Sequence, residues 1–293
     1  MRKFYVVVLL LVASTGWWGC KSIGRGGSGI EADADPLNPS KKPPRIYVGP
    51  VAGFNRSLHS GGLQSQSLPA PCPEFDSGTE NGFYAGMTGE YLLGDVVNSN
   101  SSIIARLMYD YQPAYFTVAG DQYPSNFEIN GQSQVKDTKT EHITEVKYAL
   151  LNFEVMYRWN IPGTYFGFSA GPQIGFPISS SMRQDFRLVN NPESPARFTQ
   201  TPEELAKSKD LKTNFVPVYS DESQTNITVY DGAVLNQNGM RAAIKAGVQY
   251  EILLKKFILV PAVYYNFGLT KMTTTDNWSV SALQIGADLR FVL

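Results

Sequence analysis

The end of the chain alternates strictly. From Ala282 to Leu293, one parity is Leu283, Ile285, Ala287, Leu289, Phe291 and Leu293, and the other is Ala282, Gln284, Gly286, Asp288, Arg290 and Val292. Successive strand side chains point to opposite faces, so this segment is a strand with one apolar and one polar face. Helical spacing would mix the two sets. Met240–Glu251 repeats the pattern, with Met240, Ala242, Ile244, Ala246, Val248 and Tyr250 against Arg241, Ala243, Lys245, Gly247, Gln249 and Glu251. So does Ala149–Arg158, with Leu151, Phe153, Val155 and Tyr157 against Asn152, Glu154, Met156 and Arg158. Phe166–Phe176 alternates Phe, Ala and Ile with Gly, Ser and Gln, and weaker versions run through Ile46–Phe54, Phe83–Leu93, Ile103–Tyr111 and Phe257–Leu269.

These are eight candidate strands, several of them ten residues or longer. Strands of soluble proteins usually run about 5–6 residues, whereas a tilted membrane-spanning strand needs about 9–11. An even number of antiparallel strands with an apolar outside and a polar inside describes a transmembrane barrel, since only closure satisfies every backbone group in lipid. The expected architecture is therefore all-β: a closed antiparallel transmembrane β-barrel of eight strands, or ten if Phe215–Tyr230 joins it. Short segments at Gly94–Asn100, Asn160–Gly163 and Ile252–Lys256 alternate with mostly long ones at Arg56–Asn81, Gln112–Glu141 and Ser180–Gly239, the last of this set, Lys271–Asn277, being shorter. That alternation puts short periplasmic turns on one side and long extracellular loops on the other.

Composition fits this reading only after it is divided by parity. The chain is 43% hydrophobic and 17% charged, with a net charge of −1 and a mean hydropathy of −0.19. Those values exclude a disordered chain and a polytopic helical membrane protein, and they give no electrostatic reason to expect nucleic acid. Two Cys and two His leave few ligands for a metal site. No cofactor is expected.

The N-terminus reads as an address. Arg2 and Lys3 precede an apolar run, Phe4–Ala13, and small residues lead to Cys20, which makes residues 1–20 a secretory signal. The run is too short for a spanning helix. Gly19-Cys20 resembles the end of a bacterial lipoprotein signal, which implies either lipidation of Cys20 or ordinary cleavage nearby. Residues 21–44 carry Gly, Ser, Asp, Asn and Pro without hydrophobic period and read as a flexible linker. The barrel domain is 45–293.

Gln284, Gly286, Leu289 and Phe291 resemble the C-terminal signal by which outer-membrane barrels are recognised by their assembly machinery. From Arg45 onward the chain resembles the broad porin-like family of small outer-membrane β-barrels, and Phe168–Gly175 looks like a Gly-rich strand of that family. The resemblance implies fold, an outer-membrane location in a Gram-negative-type bacterium after Sec export, and contact with outer-membrane lipids. It implies little about a ligand.

The expected inner face offers Glu90, Arg106, Asp110, Asn152, Glu154, Arg158, Lys245, Gln249, Glu251, Gln284, Asp288 and Arg290. Eight strands enclose a space that side chains can fill, so these residues are expected to form a paired plug rather than a conduit. Aromatics near strand ends (Tyr47, Phe83, Tyr84, Tyr91, Tyr157, Trp159, Tyr165, Phe257, Trp278 and Phe291) are expected to form interfacial girdles. In the longest loop, Thr201-Pro202-Glu203-Glu204 is a helix start with a capping box, a helix through Lys207. Phe215–Tyr219 and Asn226–Tyr230 are expected to form a hairpin above the membrane. Function is expected to be structural, or binding by surface loops to an unnamed ligand, without catalysis. Two alternatives stay open: a lipid-modifying enzyme using His142 with Ser180 or Ser181, and a lipid-anchored lipocalin-like periplasmic barrel with an apolar interior. Cys72 has no base near it in sequence and is expected to be inert.

Overall fold

The computed structural model describes residues 45–63, 74–94, 99–129, 132–189, 196–208, 215–254 and 256–293. Residues 1–44, expected as leader and linker and including Cys20, and Cys72 lie outside them. The elements are β1 (Ile46–Leu63), β2 (Phe75–Leu92), β3 (Ser101–Tyr111), β4 (Ala114–Ile129), β5 (Gln132–Asn160), β6 (Phe166–Leu188), β7 (Ala196–Phe198), α1 (Pro202–Lys207), β8 (Val218–Tyr219), β9 (Asn226–Gly232), β10 (Arg241–Tyr250), β11 (Ile252–Leu254), β12 (Phe257–Gly268) and β13 (Ser279–Val292). No helix among them is long and apolar enough to cross a membrane.

All pairings are antiparallel. Followed from β1, they run through β2, β3, β5, β6, β10, β12 and β13, and β13 pairs back to β1 from Tyr47↔Val292 to Ser60↔Ser279. The remaining strands lie beyond this run. The sheet thus has thirteen strands, not the eight expected. The difference comes from segments read as loops. β1 continues to Leu63 and β2 starts at Phe75, so most of Arg56–Asn81 is hairpin. Gln112–Glu141 holds β4, which pairs with the outer half of β5, and β5 itself is 29 residues long. Ser180–Gly239 holds the outer part of β6, then β7, α1, β8 and β9. The segment read as the turn Ile252–Lys256 is the short hairpin partner of β12, Ile252↔Leu259 to Leu254↔Phe257.

The alternation seen in sequence is the alternation of exposure. On β5, Leu151, Phe153, Val155, Tyr157 and Trp159 face outward while Leu150, Asn152, Glu154, Met156 and Arg158 are buried. On β13, Leu283, Ile285 and Phe291 face outward while Gln284, Asp288 and Arg290 are buried. This inverts a soluble barrel, and a lipocalin-like interior is not what the chain builds. Two of the expected girdle aromatics are corrected: Tyr84 and Trp278 are buried inside, at 2% and 0% exposure. Tyr84 needs the space left by two glycines. A Cβ on Gly53 would lie 2.6 Å from its ring, and one on Gly286 would lie 2.3 Å from its hydroxyl.

Beyond the apolar band the outer ends build a lobe. One cluster (Leu63, Phe75, Phe116, Val146, Tyr148, Met182, Tyr230, Met272 and Trp278 among its members) packs where the ring strands pass into this lobe. A second cluster, Phe186, Leu188, Ala196, Phe198, Leu205, Ile227 and Val229, fills the lobe itself. β4, β5, β6 and β9 wall it. β7 pairs with β4 at Ser125↔Phe198, and the Phe198 amide donates to the Gln224 carbonyl at 3.0 Å, which ties β7 across to the approach of β9. The hairpin at Phe215–Tyr230 forms as β8 and β9, Val218↔Thr228 and Tyr219↔Ile227, but β9 pairs with the outer half of β6 and stays outside the ring. Helix α1 carries the expected capping box. The Glu204 amide donates to the Thr201 hydroxyl at 3.3 Å, and the Thr201 amide donates to Glu204 Oε2 at 2.9 Å. Its one buried side chain, Leu205, enters the lobe core.

Candidate functional site

All twelve residues assigned to the inner face are buried, none above 4% exposure. Alternation on β2, β3, β5, β10 and β13 aims them inward, with Glu251 directly after β10, and their contacts sort them into two clusters. In the first, nearer the strand ends that carry the tight turn after Asn160, Arg158 pairs with both Glu90 and Glu251, the latter at 2.6 Å. Arg290 joins Glu90 and also donates to Asp288 Oδ2 at 2.8 Å. Arg106 donates to the same Asp288 oxygen at 2.7 Å and to the Tyr264 hydroxyl at 3.0 Å, and its Nη1 lies 3.8 Å from Glu154. Lys245 donates to Glu154 Oε1 at 2.6 Å and stands 5.0 Å from the Tyr264 ring and 5.6 Å from the Tyr84 ring. Tyr264 in turn donates to Gln249 Oε1 at 3.0 Å.

The second cluster centres on Asp110. Its Oδ1 accepts from Asn55 Nδ2 at 2.7 Å. Its Oδ2 accepts from Gln112 at 2.7 Å, Asn152 at 2.9 Å and Gln284 at 3.0 Å. Arg241 donates to Gln112 Oε1 and to the Val280 carbonyl. Above it, Trp278 Nε1 donates to His59 Nδ1 at 3.1 Å, and His59 Nε2 meets the Gln112 carbonyl at 3.3 Å. His59, Phe116 and Trp278 pack edge to face or tilted, at 5.6–6.2 Å between centroids.

Five cations (Arg106, Arg158, Arg241, Lys245, Arg290) are buried here with five carboxylates (Glu90, Asp110, Glu154, Glu251, Asp288), so the formal charges cancel. Buried charges persist when paired or hydrogen-bonded: eight of these ten are joined in ion pairs, and Arg241 and Asp110 are linked through the Gln112 amide. Sequence reading missed Asn55, Tyr84, Gln112, Arg241 and Tyr264 as members. Parity alone held the signal for Arg241, which shares the face of Lys245 and Gln249. Gln112 shares parity with Asp110 but lies one residue past the end of β3.

The four residues of the C-terminal pattern sit on β13, between β12 and β1. Gln284 is buried in the Asp110 cluster, Gly286 lies under Tyr84, and Phe291 faces outward at the opposite end from the lobe. In the lobe, His142 is buried against Phe186, with ring centroids 4.7 Å apart. Burial holds its imidazole below the ordinary range, and only the Asp121 charge opposes this. The grouping that the enzyme alternative needs, His142 with Ser180 or Ser181, does not come together. His142 pairs across β5–β6 with Phe186, whereas Ser180 pairs with Tyr148 and Ser181 with Lys147. Six residues of strand separate His142 from the Ser180 rung, about 20 Å at about 3.3 Å per residue.

No protein-family model matches the chain, and no curated protein matches it. Solved structures do. The attachment invasion locus protein Ail of Yersinia pestis is 11% identical, with 84% of this chain and 99% of that one covered, at a TM-score of 0.33. Neisserial surface protein A is 13% identical over 85% of this chain and 97% of its own, at 0.27. The outer membrane protease OmpT of Escherichia coli is 7% identical over 85% and 97%, at 0.29. The chain is similar in structure to these outer-membrane β-barrel proteins.

Proposed function

We propose that this chain is an outer-membrane β-barrel protein whose eight-strand ring closes across the bilayer, whose interior is a structural plug, and whose outer lobe carries a structural or binding role at the surface. One observation supports it above the others: the ring strands turn large apolar side chains such as Phe54, Leu107, Phe153, Ile244, Val263 and Ile285 outward, and turn charged residues inward, where most are paired. In lipid the paired ladders leave no backbone group unsatisfied and the apolar wall meets hydrocarbon, whereas in water the same wall would leave a broad apolar surface exposed. The tight turns then lie in the periplasm and the lobe outside the cell. The C-terminal strand engages the assembly machinery, outer-membrane lipids surround the wall, and the leader directs Sec export. Cys20, if retained, becomes the lipidated residue. The lobe acts without catalysis, by presenting a folded surface rather than loose loops.

Two measurements test this reading. The purified protein is expected to need detergent and to shift its gel mobility on boiling; a freely soluble, heat-unmodified protein overturns the membrane reading. In planar bilayers it is expected to show no stable conductance, because paired side chains and the aromatic cap fill the lumen. A reproducible channel overturns the plug.

A further inference from the structure

Asn266 is fully buried on the inner face of β12, and neither its Oδ1 nor its Nδ2 bonds to another protein group. Register places it between the two interior clusters. Across the β10–β12 ladder it faces Lys245, the cation of the Glu154 pair. Across β12–β13 it pairs with Ala282, two residues from Gln284, which holds Asp110. The hydrogen bonds described above stay within one cluster or the other, and Asn266 stands where the two meet. More polar atoms nearby lack protein partners: Gln284 Oε1 spends none of its acceptor capacity on Asp110, and Gln173 Oε1 and Arg241 Nε are likewise unbonded. Gln173 pairs with Ala243, one inward position from Lys245. Small inward residues, Ala243 and Ala282, flank this level rather than bulky ones.

A buried amide with both ends unpaired is costly, and native interiors meet that cost with ordered water held by about two to four polar partners. The unbonded atoms are of both kinds: Asn266 Nδ2 and Arg241 Nε can donate, and Asn266 Oδ1, Gln173 Oε1 and Gln284 Oε1 can accept. That mixture suits water, which both donates and accepts, and suits neither a bare cation nor an anion. We infer that the barrel interior binds ordered water at Asn266, and that this water joins the Asp110 cluster to the Lys245–Glu154 cluster as one hydrogen-bonded network. The plug is then sealed to ions but hydrated at its middle. The inference rests on the plug reading, and bilayer conductance tests that reading separately.

The test uses the full chain in micelles with asparagine side chains labelled with nitrogen-15, and water itself as the probe. The Asn266 amide protons, assigned by their loss in Asn266→Leu, are expected to show a direct magnetisation-transfer peak to a long-lived water. Asn266→Leu is expected to lower the thermal midpoint by several degrees, because the water loses its main anchor. Asn266→Ser, which keeps a polar group and leaves room for a second water, is expected to lose less than half of that shift. Absence of the water peak in a folded sample overturns the inference. So does Asn266→Leu melting at or above the parent temperature, since removing an unhydrated orphan amide stabilises.

Discussion

Replacing Lys245 by Met tests whether the buried network holds the fold together. Lys245 has no exposed surface, donates to Glu154 at 2.6 Å, and lies against the rings of Tyr84 and Tyr264. Met keeps the length and removes the charge. Glu154, itself fully buried, is left with Arg106 at 3.8 Å, and that arginine is already committed to Asp288 at 2.7 Å. Stranding one member of a buried pair costs about 3–5 kcal/mol, most of it the uncompensated charge. With a urea slope of about 2 kcal/mol per molar, the unfolding midpoint in phospholipid vesicles should fall by roughly 1.5–2.5 M, read as the heat-modifiable fraction on a gel. Glu154→Gln in the same chain removes the stranded charge. The double variant should therefore recover at least about 1 kcal/mol, the usual scale of coupling between contacting residues. The ring contacts of the ammonium, about 1 kcal/mol, are not recovered. The reasoning fails if Lys245→Met stays within about 0.5 kcal/mol of the parent, the range of an ordinary surface change, or if the two substitutions are simply additive.

Gly286→Val puts a Cβ about where the Ala52 carbonyl and the Tyr84 hydroxyl already are, each at 2.3 Å; refolding yield into vesicles should collapse, and a normal heat-shifted band would contradict the packing described. Thr201→Ala removes the cap of α1 and should cost about 1 kcal/mol, read by hydrogen exchange as lost protection confined to the lobe, with the ring strands unchanged. The lobe should loosen in acid: the folded state holds His142 below its ordinary value of 6.5, so the unfolded lobe binds the extra proton. Stability is then complete above that value and declines as pH falls below it. Limited proteolysis at pH 7.5 and pH 5 should show faster lobe cleavage in acid, and His142→Phe should abolish the difference; equal pH dependence in both proteins refutes the assignment.

What the sequence made legible was the part of the chain where one physical rule governs both faces. Lipid on one side and a filled lumen on the other force strict alternation, so Leu151 to Trp159 and Leu283 to Phe291 announce their strands and the direction of every side chain between them. Above the band that rule ends. Outside, β5 carries Lys139, Glu141, Glu145 and Lys147; inside, it carries Thr140, His142, Thr144 and Val146. Both parities are then polar or mixed, and the ladder continues through backbone bonds that leave no mark in hydropathy. β4, β7 and the outer parts of β5 and β6 therefore look like loop in the sequence, while the β8–β9 hairpin shows at Phe215–Tyr230 and α1, whose cap is a matter of local residue chemistry, shows at Thr201–Glu204. The interior shows the same division. Parity finds which charges face inward, but the pairing of Arg158 with Glu90 and Glu251, or the four amides on Asp110, depends on register across strands far apart in sequence. Tyr84 marks the limit most sharply. Its place near a strand end suggests a girdle, and only Gly53 and Gly286, brought beside it by β1–β2 and β1–β13 pairing, open the space that takes it inside. Glycines on the wall, Gly53, Gly247 and Gly286, make room for the inward rings of Tyr84 and Tyr264. The plug and the wall are thus one packing problem rather than two.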